Sequence, residues 1–254
     1  MPGSANARVL VEIAVDSVEG AVAAAEAGAD RLEVCQGLLE GGLTPSLGLV
    51  EAVRAAVAVP VVVMVRPRGG DFLYDALEFA VMARDVQHLV EVGIAGIVTG
   101  VLLPSGHVDE ARLRELIAAA GPASCTFHRA FDLCIDPAAA LESLVSLGVA
   151  RVLTSGQSAS AIVGAPRIKA HVAQAQQRLV VMAGAGLRDG NVAALVAATG
   201  VREVHLSATR WGDSGMQFRR EGVPMGSAAP PNEYALRRTD AAMVARVVSA
   251  VRGA

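Results

Sequence analysis

Four short strings impose an order on this chain that few folds satisfy. AGADRLEV, VGIAGIVT, LGVARVLT and TGVREVHL each set a glycine (Gly28, Gly93, Gly148 and Gly200) between a helical segment and a run of branched residues. A glycine at that point can take the left-handed conformation that ends a helix. The runs that follow are predicted strands two, four, six and eight, so the repeat predicts four β/α/β/α quarters. The full reading places strands near 9–15, 30–35, 61–66, 95–99, 124–128, 150–155, 179–183 and 202–207. Helices are expected near 17–27, 46–57, 75–92, 109–119, 137–147, 158–176, 189–199 and 239–252. Strand–helix alternation specifies a parallel sheet, and eight units close it into a (β/α)8 TIM barrel. A length of 254 residues fits one such domain, 1–254.

The helix starts agree with this reading. Asp16-Ser17, Pro45-Ser46, Asp136-Pro137 and Asp189 each supply an N-cap residue or a first-turn proline. The segment 208–238 breaks the rhythm. It carries Trp211 and three prolines, Pro224, Pro230 and Pro231. So long a connection after the last strand is expected to be a functional loop over the barrel mouth.

Composition narrows the function. Apolar residues make up 53% of the chain but aromatics only 3%. The core is therefore built from small branched side chains, as buried parallel strands require. No apolar run approaches the roughly 18 residues of a membrane span. The opening stretch Met1–Arg8 has no basic region followed by an apolar one, so the expected location is the cytoplasm. A net charge of −3 and the absence of a basic stripe argue against a nucleic-acid partner. Cys35, Cys125 and Cys134 form no Cys-x-x-Cys pair and are expected to be free thiols. Lys169 is the only lysine and falls in a predicted helix, which argues against Schiff-base or PLP chemistry. No His-Glu-x-x-His is present, so the familiar zinc hydrolase sites are unsupported. The spacing Gly184-x-Gly186-x-x-x-Gly190 is not a dinucleotide fingerprint, so no nucleotide cofactor is expected.

Active sites on this fold lie at the C-terminal ends of the strands. Aligning the four glycines stacks Glu33, Val98, Leu153 and His205, and two residues on it stacks Cys35, Gly100, Ser155 and Ser207. Residues i and i+2 share one face of a strand. On the odd strands Glu12, Arg66 and His128 are the matching positions. Glu12, Glu33, Arg66, His128 and His205 are therefore expected to converge in one concave site. Glu12, Glu33, His128 and His205 are its acid–base candidates. Burying several charges costs several kcal/mol each unless they are paired. A ligand is one way to pair them; a structural ion pair with Arg31 or Arg151 is the other.

Two features point to a small anionic ligand. Arg66 and Arg68 precede Gly69-Gly70, and guanidinium groups suit bidentate recognition of carboxylate or phosphate. Strand seven leads through Gly184 and Gly186 toward a helix N-terminus, where backbone N–H groups favour an anion, and Ser155 lies at the same rim. Asp189 beside it works against an anion. Cys35 suggests something different, because soft thiolate and thioether ligands favour Cu(I).

The strings VEIAVDSVEGA (11–21), GADRLEVC (28–35), EGGLTPSLGL (40–49), VMVRPRGGDF (63–72), TFHRAFD (126–132) and RVLTSGQ (151–157) resemble the copper homeostasis protein CutC family. So do Ser207-Ala-Thr-Arg210 and Ser214-Gly-Met216. The resemblance runs collinearly from about residue 9 to about 226. It implies a barrel, often a cytosolic homodimer, linked to copper tolerance and Cu(I) binding, with Cys35 as the metal ligand. The Glu, Arg and His residues of the motifs favour instead acid–base chemistry on a small anionic or phosphorylated metabolite.

Overall fold

Branched runs buried on both faces need helices outside them, and the capped segments between the strands supply those helices. The computed structural model describes residues 8–225 and 232–253; the opening residues 1–7 and residues 226–231 of the long connection lie outside the described residues. Eight β/α units follow one another: β1 (Leu10–Val15), α1 (Val18–Glu26), β2 (Arg31–Val34), α2 (Leu47–Ala56), β3 (Val61–Met64), α3 (Ala76–Val92), β4 (Gly96–Thr99) and α4 (Glu110–Ala120). They continue with β5 (Ser124–Phe127), α5 (Pro137–Ser146), β6 (Arg151–Thr154), α6 (Ala165–Ala175), β7 (Val180–Gly184), α7 (Val192–Thr199) and β8 (Glu203–Leu206). Beyond these come β9 (Thr209–Asp213), β10 (Ala235–Thr239) and α8 (Ala241–Arg252). Strands β1 to β8 pair in chain order, and β8 returns to β1 in parallel, which closes the barrel.

The repeat glycines do what their place demands. Gly28, Gly93, Gly148 and Gly200 have φ of 96°, 77°, 73° and 76°, a region that disfavours any side chain. Ser17, Ser46 and Asp136 cap α1, α2 and α5 through their side chains. Alternate strand residues then divide between two environments. Val11, Ile13 and Val15 of β1 join the large apolar layer between barrel and helices. Ala14, Cys35, Val62, Met64 and Val98 form a small cluster inside the barrel. Cys125 joins the outer layer.

Three local expectations are corrected. Helix α6 begins at Ala165 rather than near 158. Residues 156–164 form turns, because Gly156 and Gly164 pack backbone against backbone and leave no room for a continuous helix. Helix α7 begins at Val192. Its N-cap is Asn191, and Asp189 pairs instead with Arg246 of α8 at 2.5 Å. The segment 208–238 is not a plain loop. Its two ends pair as the antiparallel ribbon β9–β10, with Thr209 opposite Thr239 and Asp213 opposite Ala235. Among the described residues no helix is long and apolar enough to cross a membrane.

Candidate functional site

The inside of the barrel is polar at two levels. Two residues before the Glu33–His205 layer, the repeat places Arg31, Gly96, Arg151 and Glu203, and three of these are charged. Arg31 bonds both Glu12 and Glu203, and Arg151 Nε reaches Glu203 Oε2 at 3.2 Å. Glu12, Arg31 and Glu203 are all buried. This floor is a closed ion-pair network, the structural pairing with Arg31 and Arg151 that the sequence left open.

Above the floor the pairing is incomplete. His205 of β8 lies between two carboxylates. Its Nδ1 is 2.8 Å from Glu12 Oε1, and its Nε2 is 3.7 Å from Glu33 Oε2. Burial alone would raise the Glu12 carboxyl, but the His205 hydrogen bond and the Arg31 charge outweigh it and hold Glu12 down at about 2. An ionised carboxylate only accepts, so His205 Nδ1 carries the proton in this bond. Burial pushes Glu33 up to about 7, against the pull of His205 and with the push of Glu12. Burial lowers His205, yet Glu33 and Glu12 overcome it, and the imidazole titrates above its ordinary value. Each group's charge favours the charged form of the other, so the carboxyl and the imidazole titrate together rather than independently.

His128 ends β5 on the other side of the mouth. The Ala130 N–H donates to its Nδ1 at 3.1 Å, which leaves the ring proton on Nε2. Burial and the Arg66 guanidinium lower His128 to about 3, so the ring is neutral at physiological pH. Its place depends on Gly100: a Cβ there would lie 2.5 Å from His128 Cε1. Phe72 packs on the ring at a centroid distance of 4.8 Å.

Glu33, Arg66, His128, His205 and Gly186 all line one cavity of about 610 Å³ at the C-terminal ends of the strands. Thr209 and Arg237, from the β9–β10 ribbon, also line it. Glu12 lies one layer deeper and supports His205 from below. Five buried side-chain atoms have no hydrogen-bond partner among the described residues, and Glu33 Oε1, Arg66 Nε and His128 Nε2 are three of them.

The remaining predicted residues have other surroundings. Arg66 gives Nη1 to the carbonyls of Glu40 and Gly42 at 2.7 and 3.0 Å, and Nη2 to Gly70 at 2.9 Å. It braces the loops after β2 and β3. Arg68 is outside the cavity wall, bound to Glu78 at 2.5 Å and stacked on Tyr74. Ser155 bonds Asp132, whose carboxylate also accepts from Thr154 Oγ1 and the Gln157 N–H. Gly184 lets Leu153 approach: a Cβ there would meet Leu153 Cδ1 at 2.6 Å. Cys35 is fully buried and does not line the cavity. Burial raises its thiol far above the ordinary range, and burial raises Cys125 and Cys134 to about 12.

The donor set fits a soft metal poorly at the mouth. One donor atom each from Glu12, Glu33 and His205 lies within 4.8 Å of the others, but carboxylates and imidazole are not the ligands that select Cu(I). A thiol and a thioether side chain, Cys35 and Met64, lie deeper in one small buried cluster. A Cβ on Gly42 would lie 3.2 Å from Met64 Cε and 3.6 Å from Cys35 Sγ, so both side chains end beneath that glycine.

Two residues of this site escaped the sequence reading. Glu203 was available from the repeat, two positions before His205. Arg237 was not, because it reaches the mouth only through the pairing of β10 with β9.

Comparison with known proteins gives a consistent result. The model of the CutC family matches residues 9–210. The copper homeostasis protein cutC homolog of Homo sapiens is 47% identical over 249 residues, 98% of this chain and 90% of the human protein. A family protein CutC of Citrobacter koseri is 49% identical over 238 residues, 94% of this chain and 95% of that protein. The crystal structure of a copper homeostasis protein CutC from Streptococcus agalactiae matches with a TM-score of 0.76 at 32% identity, covering 78% of this chain and 98% of that chain. Phosphoribosyl anthranilate isomerase from Thermotoga maritima matches with a TM-score of 0.58 at 11% identity, over 97% of this chain and 100% of that chain, and shares the fold alone.

Proposed function

The chain belongs to the CutC family, and from that premise and the geometry of its mouth we propose an enzyme that performs acid–base chemistry on a small metabolite. One observation carries this reading. Glu33 Oε1 and His128 Nε2 are buried, lack partners among the described residues, and belong to residues lining the same cavity. Buried polar atoms are ordinarily satisfied, and unsatisfied ones cost about 1–3 kcal/mol each. A ligand that accepts from His128 and engages Glu33 removes both deficits.

The roles follow from the protonation states. His128 Nε2–H is a neutral donor suited to an oxygen on which negative charge develops. Glu33 is poised near neutral pH, where an acid–base group is most effective. His205 faces Glu33 from 3.7 Å as its nearest charge partner, and Glu12 fixes the His205 tautomer. The test is a thermal-shift screen of metabolites, followed by calorimetry of any hit in buffers of different ionisation enthalpy. Binding should be accompanied by proton uptake or release that Glu33→Gln abolishes. A wild-type protein that no compound stabilises, or a hit indifferent to Glu33, contradicts the reading.

The second reading is Cu(I) binding, and its support is that Cys35 and Met64 pack in one buried cluster beneath Gly42. Thiolate and thioether are soft donors suited to Cu(I). Binding there must displace the Cys35 proton, so affinity should rise with pH. Anaerobic Cu(I) titration against a competing chelator should lose one equivalent in Cys35→Ser and keep it in the Cys125→Ser/Cys134→Ser double variant. Equal stoichiometry in wild type and Cys35→Ser removes this site.

The free thiols are in keeping with a cytoplasmic location. A second copy of the chain is the proposed protein partner. The rim loops after β3, β4 and β5 expose Leu73, Leu103 and Ile135, and the first turn of α3 exposes Leu77. Light scattering should give twice the chain mass.

A further inference from the structure

We propose that the turns after β7 and β8, with Arg237, form a subsite for the phosphate group of a phosphomonoester. The inference rests on the acid–base reading of the same cavity and names the ligand class for it.

The β7–β8 ladder stops at Gly184 opposite His205. The next residues turn sharply: Ala185, Gly186 and Ala208 have φ of 78°, 74° and 43°. Among the described residues, the backbone N–H groups of Gly186, Leu187, Ser207 and Ala208 meet no acceptor, and all four residues line the cavity. The carbonyls of these turns are engaged elsewhere. Ala185 O accepts from the Ala161 N–H at 3.0 Å, Gly186 O from the Asn191 side chain at 3.0 Å, and Ala208 O from the Asp240 N–H at 2.7 Å. In a trans peptide the N–H points opposite to the carbonyl. With the Ala185 and Gly186 carbonyls tied to the 158–164 turns and to Asn191, the N–H groups of Gly186 and Leu187 are left for the other side.

A guanidinium completes the set. Arg237 lines the cavity and spends one bond on Thr209 Oγ1 at 2.8 Å. Glu33, Glu40 and Asp132 also line the cavity, and of these Asp132 is held by Arg129 at 2.8 Å and by Ser155. Asp189 is bound to Arg246 at 2.5 Å, and Asp16, the carboxylate next to Arg237, does not line the cavity. An independent sign of a ligand lies across the same space: the unpartnered Nε2 of His128, on a side chain more than nine-tenths buried. Four N–H donors from two adjacent turns and one guanidinium match the three terminal oxygens of a phosphomonoester better than the two of a carboxylate. Turns after strands seven and eight are where this fold commonly holds phosphate. The carbon skeleton then extends toward Glu33 and His128. Arg66 has given both Nη groups to its own loops and keeps only Nε unpaired, whereas Arg237 spends a single bond, so Arg237 is the anion's main guanidinium.

Calorimetry in a chloride buffer, with inorganic phosphate, glycerol 3-phosphate, glycerol and lactate as probes, tests this. Phosphate should bind, glycerol 3-phosphate should bind more tightly, and glycerol and lactate should not bind. Arg237→Gln should weaken phosphate at least about tenfold, a loss of about 1.4 kcal/mol, while Arg68→Gln should leave it unchanged. On the wild-type protein, phosphate should move the amide NMR signals of Gly186, Leu187, Ser207 and Ala208. No binding of phosphate, an unaltered Arg237→Gln, or amide shifts confined to other segments overturns the proposal. Lactate binding as tightly as phosphate overturns the phosphate assignment in favour of a carboxylate. The acid–base reading is judged separately, from the titration of Glu33 and His205 in the unliganded protein.

Discussion

The floor and the mouth of this barrel use the same residue types to opposite ends. At the floor, Arg31 stands between Glu12 and Glu203, Arg151 adds a second cation to Glu203, and no carboxylate there is without a partner. At the mouth, Glu33 has one distant imidazole at 3.7 Å and an oxygen with no partner. Both carboxylates are buried, so desolvation acts on each. What differs is compensation: Glu12 is held at about 2 and Glu33 is raised to about 7. A closed network holds strands together, and an open one is ready to exchange a proton or accept a ligand.

Removing the central cation should show the contrast most strongly. Arg31→Met leaves Glu12 and Glu203 buried together, and breaking a buried pair typically costs about 3–5 kcal/mol. In a domain of this size that lowers Tm by roughly 6–20 °C. Denaturant unfolding measures it; a loss under about 1 kcal/mol would mean the floor is not a stabilising network. Arg66→Ala should come next. It removes three charge-assisted bonds to loop carbonyls, at an expected cost of about 1.5–3 kcal/mol. It should also loosen hydrogen-exchange protection in residues 37–43 and 66–72. Protection unchanged there would mean that the brace is superfluous.

Glu33→Gln removes no hydrogen bond made by Glu33 among the described residues, and its signature is pH dependence rather than a fixed loss. The folded-state value of Glu33 is raised from 4.5 to about 7. Its contribution is therefore full below 4.5 and is lost as pH rises through 7. Subtracting the Tm of Glu33→Gln from that of wild type should give a difference that falls steadily from pH 4.5 to 8. A flat difference would place Glu33 in an ordinary solvated setting.

The mouth layer was legible because the repeat fixes register, and the same register holds the floor layer that the reading passed over. Once Gly28, Gly93, Gly148 and Gly200 are aligned, Glu33 and His205 must share a layer, and Arg31, Arg151 and Glu203 must share the one beneath. The alternation of β1 and β5 likewise turns Glu12 and His128 inward. Side-chain commitments were not legible. Arg66 precedes a glycine pair and reads as an anion site, yet the carbonyls of Glu40, Gly42 and Gly70 capture it, and no spacing rule reports a loop folding back. Arg237 belongs to a segment without repeat or period, and only the β9–β10 pairing brings it to the cavity. Cys35 reads as an accessible ligand because it follows Glu33 by two. It is sealed beneath the mouth instead, because Ala14, Met64 and Val98 close around it.

The claim that the mouth is an acid–base site is tested most directly by nitrogen-15 NMR titration of the imidazoles of His128 and His205. His128 should stay neutral, with its proton on Nε2, from pH 8 down to about 5. His205 should titrate above the ordinary histidine range, with a second inflection near pH 7 that disappears in Glu33→Gln. A His128 that protonates near pH 6.5, together with a His205 indifferent to Glu33, would contradict it.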